Sequence, residues 1–62
     1  MNNTEILKAS LIEGYNDVQL NKPCRDWFGS YNEKCAYLLG RSMGVDKEVI
    51  TEEVVLELVS KL

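Results

Sequence analysis

The stretch from residue 30 to residue 44 constrains the fold most, because it carries both a helix start and a helix stop. Ser30 is followed three residues later by Glu33, which is the capping-box pattern of a helix N-terminus. At the other end, Gly44 stands where a chain often leaves a helix in the left-handed conformation, which glycine adopts at little steric cost. The pattern therefore predicts a helix over residues 31–43.

A second helix is predicted upstream, over about residues 4–20. Apolar residues recur there at spacings of four, four and three, which makes one helical stripe: Leu7, Leu11, Tyr15 and Val18. Three polar residues near the start are suitable N-caps: Asn2, Asn3 and Thr4. Gly14 interrupts this helix and Gly40 interrupts the next one, each at a cost of about 1 kcal/mol relative to alanine. We interpret the two glycines as the point where the helices cross closely.

The apolar side of the 31–43 helix is predicted from its larger side chains. These are Tyr31, Cys35, Leu38, Leu39, Ser42 and Met43. Tyr37 falls off this stripe, so we expect its side chain to be exposed.

The last segment, about residues 47–61, is interpreted as a third helix. Its apolar residues form one stripe: Val54, Val55, Leu58, Val59 and Leu62. Asp46 and Thr51 are both suitable N-caps, so the start of the helix is left open between them. The β-branched residues of 49–55 favour a strand by propensity. A lone strand would have no partner in an otherwise helical chain, so the helix is preferred.

Between the first two helices lies a connector, residues 21–29, which contains the only proline of the chain, Pro23. Proline cannot continue a helix, and it biases the preceding residue toward an extended conformation. The connector also holds the only tryptophan and the only phenylalanine, Trp27 and Phe28. We expect both rings to cover the small core. The alternative is an exposed aromatic anchor beside the basic residues of the connector, suited to base stacking or to a protein hot spot.

Composition narrows the classes of function. The 62 residues include two cysteines and no histidine, which leaves no Cys–His nucleophile pair and too few of the usual ligands for a structural zinc site. Segment 46–62 holds five acids and two bases, which accounts for the net charge of −3 and reads as a solvated face. No phosphate loop, signal peptide or membrane-length apolar run is visible. We therefore expect a cytoplasmic protein that is not an enzyme, with free thiols and with no metal or cofactor.

Three short motifs between residues 13 and 44 carry a family resemblance. They are Gly14-Tyr15, then Lys22-Pro23-Cys24-Arg25-Asp26-Trp27-Phe28, then Tyr37-Leu38-Leu39-Gly40-Arg41. In these the chain resembles the ribosome modulation factor family and its small phage-borne and prophage-borne relatives. The resemblance implies two helices joined by a connector, and a role in binding ribosomal RNA to silence idle ribosomes. It leaves Lys22, Arg25 and Arg41 as candidate RNA contacts. The named members are strongly basic, whereas this chain is acidic.

We predict an all-α fold of one domain, residues 1–62. Two antiparallel helices joined by the connector combine with the third, C-terminal helix into a small helical bundle. The predicted function is to regulate or inhibit a larger host machine by protein–protein contact, and a phage origin fits the size and the resemblance. The acidic 46–62 segment suggests a basic partner surface, such as that of a nucleic-acid-handling or ribosomal protein.

Two sets of residues are candidates for this contact. A chain this short buries little apolar surface alone, so we expect a homodimer through Val54, Val55, Leu58 and Leu62. The candidate binding residues are Lys22, Arg25, Trp27, Phe28 and Arg41. One alternative is a hibernation-type factor that binds ribosomal RNA. A lower-ranked alternative is a helix-turn-helix DNA reader, although the acids of the last helix would repel the DNA backbone.

Overall fold

The computed structural model describes residues 3–62, which form three α-helices and contain no strand. Helix α1 is Asn3–Gln19, α2 is Tyr31–Val45 and α3 is Glu52–Ser60. The all-α class and the three helices are as predicted. The N-cap proposed at Asn2 lies outside the described residues.

The N-terminus of α2 confirms the capping prediction. Ser30 has the extended backbone of an N-cap (φ −154°, ψ 166°). Its Oγ accepts a hydrogen bond from the Glu33 N–H at 3.2 Å. A local signal was sufficient to predict where this helix starts, because the cap satisfies a backbone donor that has no partner within the helix.

The predicted end of α2 at Gly44 is wrong. The helix continues to Val45, and the left-handed residue is Lys47, at φ 57°. The Glu48 N–H donates to the Met43 carbonyl at 3.1 Å and the Lys47 N–H to the Gly44 carbonyl at 3.2 Å, which is a Schellman motif. Gly44 stays helical because it faces α1, where an added Cβ would lie 3.0 Å from a Val18 carbon.

Helix α3 starts later than the predicted residue 47. Of the two candidate caps, Thr51 is the N-cap, and its Oγ1 accepts from the Val54 N–H at 3.2 Å. Asp46 is instead the C-cap of α2, with its N–H bonded to the carbonyls of α2. Because Asp46 ends one helix, residues 47–51 form a non-helical link before the next.

Helices α1 and α2 run in the same direction, which corrects the antiparallel prediction. Their N-terminal turns line one cleft, with Ile6 beside Asn32, and near their C-terminal ends the Gln19 side chain donates to the Gly44 carbonyl at 3.1 Å. The connector explains this direction. Its non-helical residues run back alongside α1, so that α2 begins beside the N-terminal end of α1. Residues 20–30 can reach about 35 Å when extended, whereas the 17 residues of α1 span about 25 Å.

The two helices cross closely at Gly14 and Gly40, as predicted. A Cβ on Gly14 would fall on the Tyr37 carbonyl oxygen, and a Cβ on Gly40 on the Leu11 carbonyl oxygen. Both separations are below the 3.0 Å that real Cβ atoms essentially never breach. Each glycine therefore lies against the backbone of the opposite helix, where no larger residue fits without moving the helices apart.

This crossing determines which face of α2 is buried, and the predicted face is wrong. The buried residues of α2 are Ala36, Tyr37, Gly40, Met43 and Gly44. Of the predicted stripe only Met43 is buried, while Tyr31 is 76% exposed. Tyr37, expected on the surface, is fully buried. The small residues at positions 36, 40 and 44 let the backbones approach, and that contact outweighs the size of the side chains elsewhere on the helix.

Helix α3 covers α1 and completes the core. Val55 and Val59 are buried together with Leu7, Leu11, Ala36 and Met43. Two polar contacts fix the position of the 47–51 link and of α3. The Tyr15 hydroxyl donates to the Glu48 carbonyl at 2.9 Å, and Lys8 lies 3.2 Å from the Glu52 carboxylate.

Candidate binding surface on the connector

Tyr37 joins α1, α2 and the connector at one point. Its ring is fully buried, and its hydroxyl donates to the Asp17 carboxylate at 2.6 Å. The same oxygen accepts from the backbone N–H of Arg25 at 3.1 Å and from an Arg41 guanidinium nitrogen at 3.5 Å. A buried hydroxyl with several partners holds each of them in place, because leaving any one unsatisfied costs free energy.

Arg25, predicted as a binding residue, is committed to contacts within the chain. One guanidinium nitrogen donates to both Glu13 carboxylate oxygens, at 2.8 and 2.9 Å. The guanidinium carbon lies 4.7 Å from the centre of the Phe28 ring and 5.2 Å from that of Tyr37. At these distances the cation–π attraction and the ion pair act together. Arg25 therefore attaches the connector to α1.

Arg41 has a similar structural role from the other helix. Its guanidinium donates to the Lys22 carbonyl at 3.2 Å and lies 5.9 Å from the centre of the Tyr37 ring. The contact pins the start of the connector to α2. Of the basic candidates, Lys22 alone has an exposed side chain.

The two aromatic residues of the connector separate. Phe28 is half-buried and packs on Tyr37, with 5.3 Å between ring centres and a 59° tilt. Trp27 is 74% exposed. The expectation that both rings cover the core is therefore wrong for Trp27, because Arg25 and Phe28 already occupy the inward side of the connector. The exposed position of the Trp27 ring is the one that the alternative interpretation predicted.

The structure brings the five candidate binding residues into one region but divides their roles. Arg25, Phe28 and Arg41 build a platform around Tyr37, while Lys22 and Trp27 lie on the surface of the connector. Sequence reasoning missed Tyr37 itself, together with its partner Asp17. The signal that could have found Tyr37 is its position three residues before Gly40, which places it at the helix crossing.

The candidate dimer residues of the last segment face mainly inward where they belong to α3, and Leu62 lies beyond the end of that helix. Val55 is 1% exposed and belongs to the core, and Val54 and Leu58 pack partly against it. Leu62 is 39% exposed. Val55 is inaccessible to a second molecule while α3 is docked, which removes it from the predicted interface.

Within residues 3–62, no helix has the length and hydropathy to cross a membrane, and no three potential metal ligands among His, Cys, Asp and Glu come together. Comparison with protein families, with curated proteins and with solved structures gives no match. The features that bear on function are therefore the geometry of the connector and the charges around it.

Proposed function

We propose that the protein is a non-enzymatic binding module that regulates a larger protein machine by docking on it through Trp27. The observation that carries the proposal is an indole 74% exposed on a connector that is held in place. Tryptophan is enriched among the residues that dominate binding free energy at protein interfaces. When a partner covers an exposed ring of this size, apolar surface is removed from water, and this favours binding.

The platform below Trp27 supports this proposal. Tyr37, Arg25 and Arg41 fix the connector before the indole, and Phe28 packs on Tyr37 directly after it. A side chain presented on a fixed backbone has less conformational entropy to lose on binding than one on a flexible loop. The Tyr37 platform thus serves as the support, and Trp27 as the contact.

The charge distribution supports a partner with a basic surface. The net charge of −3 comes entirely from residues 46–62. The α3 acids Glu52, Glu53 and Glu57 are exposed. Complementary charge raises the association rate and selects partners more than it adds affinity. A nucleic-acid-handling or ribosomal protein has the kind of basic surface that these acids would favour.

Binding to ribosomal RNA is the second candidate, favoured by an exposed indole that could stack on a base beside Lys22. It has weaker support, because Arg25 and Arg41 already bind Glu13 and the connector backbone. A phosphate contact from either arginine would compete with these internal bonds.

Photo-crosslinking tests the proposal at the site itself. Trp27 is replaced by the photoreactive residue p-benzoylphenylalanine, and the protein is irradiated in a lysate of the cells that produce it. The matched control carries the same residue at Leu20, which is 64% exposed. We expect an adduct from position 27 alone, removed by protease and suppressed by excess unmodified protein but not by excess Trp27→Ala.

The other outcomes are equally informative. An adduct removed by ribonuclease would replace the proposal with the RNA alternative. Equal adducts from positions 27 and 20 would mean that Trp27 is not a docking residue. So would an adduct that excess Trp27→Ala suppresses as well as the unmodified protein does.

A further inference from the structure

The face of α2 opposite its packing face carries a regular apolar seam. Its residues follow one another at spacings of four, three, four and three, and we call them the outer seam: Tyr31, Cys35, Leu38, Ser42 and Val45. Three of its side chains are well exposed, Tyr31 at 76%, Leu38 at 43% and Val45 at 69%. Alternating steps of four and three residues form the a/d pattern of a two-helix coiled coil.

A groove beside the outer seam widens the apolar surface. Leu39 and Leu62 line it together with Cys35 and Leu38, and its volume is about 410 Å³. Tyr31 and Cys35 lie one helical turn apart on the seam, and a hydrogen bond between their side chains is the main cause that raises the pKa of Tyr31. The outer seam and the groove make one continuous surface along α2.

The seam spans two heptads, which is too short to form a coiled coil from unfolded peptides. In this protein, however, α2 is already held helical by its packing on α1. The free-energy cost of ordering α2 as a helix is therefore already offset within the monomer. To pair with α2, a second helix needs only a matching apolar seam.

The charges beside the seam select the occupant and its direction. Lys34 and Arg41 flank one side of the seam, and Asp46 flanks the other. Both internal hydrogen bonds of Arg41 come from one guanidinium nitrogen, so its charge can attract an acid across the seam while those bonds stay in place. If two copies pair in the same direction, the basic flank of each faces the Asp46 flank of the other; in the opposite direction, Lys34 faces Arg41. We infer that a second copy of this chain covers the outer seam, with the two α2 helices side by side and pointing the same way.

An interface of ordinary size is feasible on a chain this small. It takes about 800 Å² from each partner, compared with a surface of 4310 Å² for this chain. Such a dimer leaves Trp27 on a different element, so it does not depend on the proposed function. It replaces the α3 interface predicted from the sequence with one on α2.

Sedimentation equilibrium on two matched variants tests the interface. Leu38 on the seam and Leu56 on α3 are 43% and 40% exposed, so leucine-to-glutamate changes at the two positions are closely comparable. We expect the unmodified chain to sediment at twice its 7.1 kDa mass and Leu56→Glu to do the same. Leu38→Glu should weaken the dimer at least tenfold and leave the helical circular dichroism unchanged. Val45→Glu, at a 69% exposed seam position, should reproduce the effect.

A monomer of the unmodified chain at 100 micromolar would overturn the inference. So would a dimer that Leu56→Glu disrupts and the two seam variants leave intact.

Thiol oxidation tests the direction. In the same-direction pair, Cys35 of one copy faces Cys35 of the other. Diamide, which takes up the two electrons and two protons, should then link Cys24→Ser rapidly into a disulfide dimer. Cys24 is exposed and Cys35 half-buried, so random collision would favour Cys24. Faster linkage of Cys35→Ser than of Cys24→Ser would overturn the same-direction arrangement.

Discussion

Replacing Gly14 with alanine sets two known effects against each other. On an open helix surface the change would stabilise the protein by about 1 kcal/mol, because alanine has the higher helix propensity. Here the new methyl group would meet the Tyr37 carbonyl oxygen and would lie 3.1 Å from the Arg41 amide nitrogen. Both obstacles are backbone, which a rotamer change cannot move.

The helices must therefore separate by about 1 Å, and overpacking of this kind costs about 1–3 kcal/mol or more. We expect the upper part of that range, because the separation also loosens the packing around Leu11 and Ala36. After the gain in helix propensity, the net loss is about 2 kcal/mol. A domain of 62 residues has only about 3–9 kcal/mol of stability in total. The melting temperature should fall by about 8–16 °C.

Thermal and urea unfolding followed by circular dichroism at 222 nm measure this loss. Gly40→Ala should behave like Gly14→Ala, because its methyl group would meet the Leu11 carbonyl and lie 2.9 Å from the Tyr15 nitrogen. Gly29→Ala is the matched control. The nearest atom there is the end of the flexible Glu33 side chain, at 2.5 Å, so we expect a change within about 0.5 kcal/mol. If Gly14→Ala melted at or above the temperature of the unmodified protein, the close crossing would be refuted.

Three further changes probe other features. Tyr37→Phe should lower the free energy of unfolding by about 1–3 kcal/mol, because the Asp17 carboxylate loses its 2.6 Å donor; urea unfolding measures this. Lys47→Gly should raise the free energy of unfolding by about 1 kcal/mol, since Lys47 holds a left-handed φ of 57° that glycine adopts freely. An unchanged urea midpoint would contradict this. In Cys35→Ala the pKa of Tyr31 should fall back toward its ordinary 10.0, and absorbance at 295 nm follows the tyrosinate. Because folding raises this pKa, the contribution of the hydrogen bond to stability is lost as the pH rises through the raised value.

Features determined within a few residues could be predicted from the sequence. Ser30 is an N-cap and Thr51 was one of two candidate N-caps, because each satisfies a backbone donor three residues away. The close approach at Gly14 and Gly40 was also predicted, since glycine within a helix has little other use. The end of α2 was not, because the packing of Gly44 against α1 overrides the preference of glycine for a cap.

Features that depend on distant contacts escaped prediction. Tyr37 was expected to be exposed because the helix face was chosen from the size of the side chains, whereas the crossing of two backbones determines it. Nothing in the sequence pairs Arg25 with Glu13, twelve residues apart. The exposure of Trp27 follows from that pairing, since the inward side of the connector is then occupied. The fold class was thus predictable and the helix direction was not.

The same-direction packing of α1 and α2 has a consequence for folding kinetics. In a helical hairpin the first contacts form beside the turn, between residues close in sequence, and the rest follow along the pair. Here the paired positions are distant throughout: Tyr37 and Asp17 are 20 residues apart, and Gln19 and Gly44 are 25. To form any contact between α1 and α2, the chain must close a loop of about this length. The entropy lost in closing that loop precedes the favourable free energy of the contact. This small all-helical protein should therefore fold more slowly than a helical hairpin of the same size.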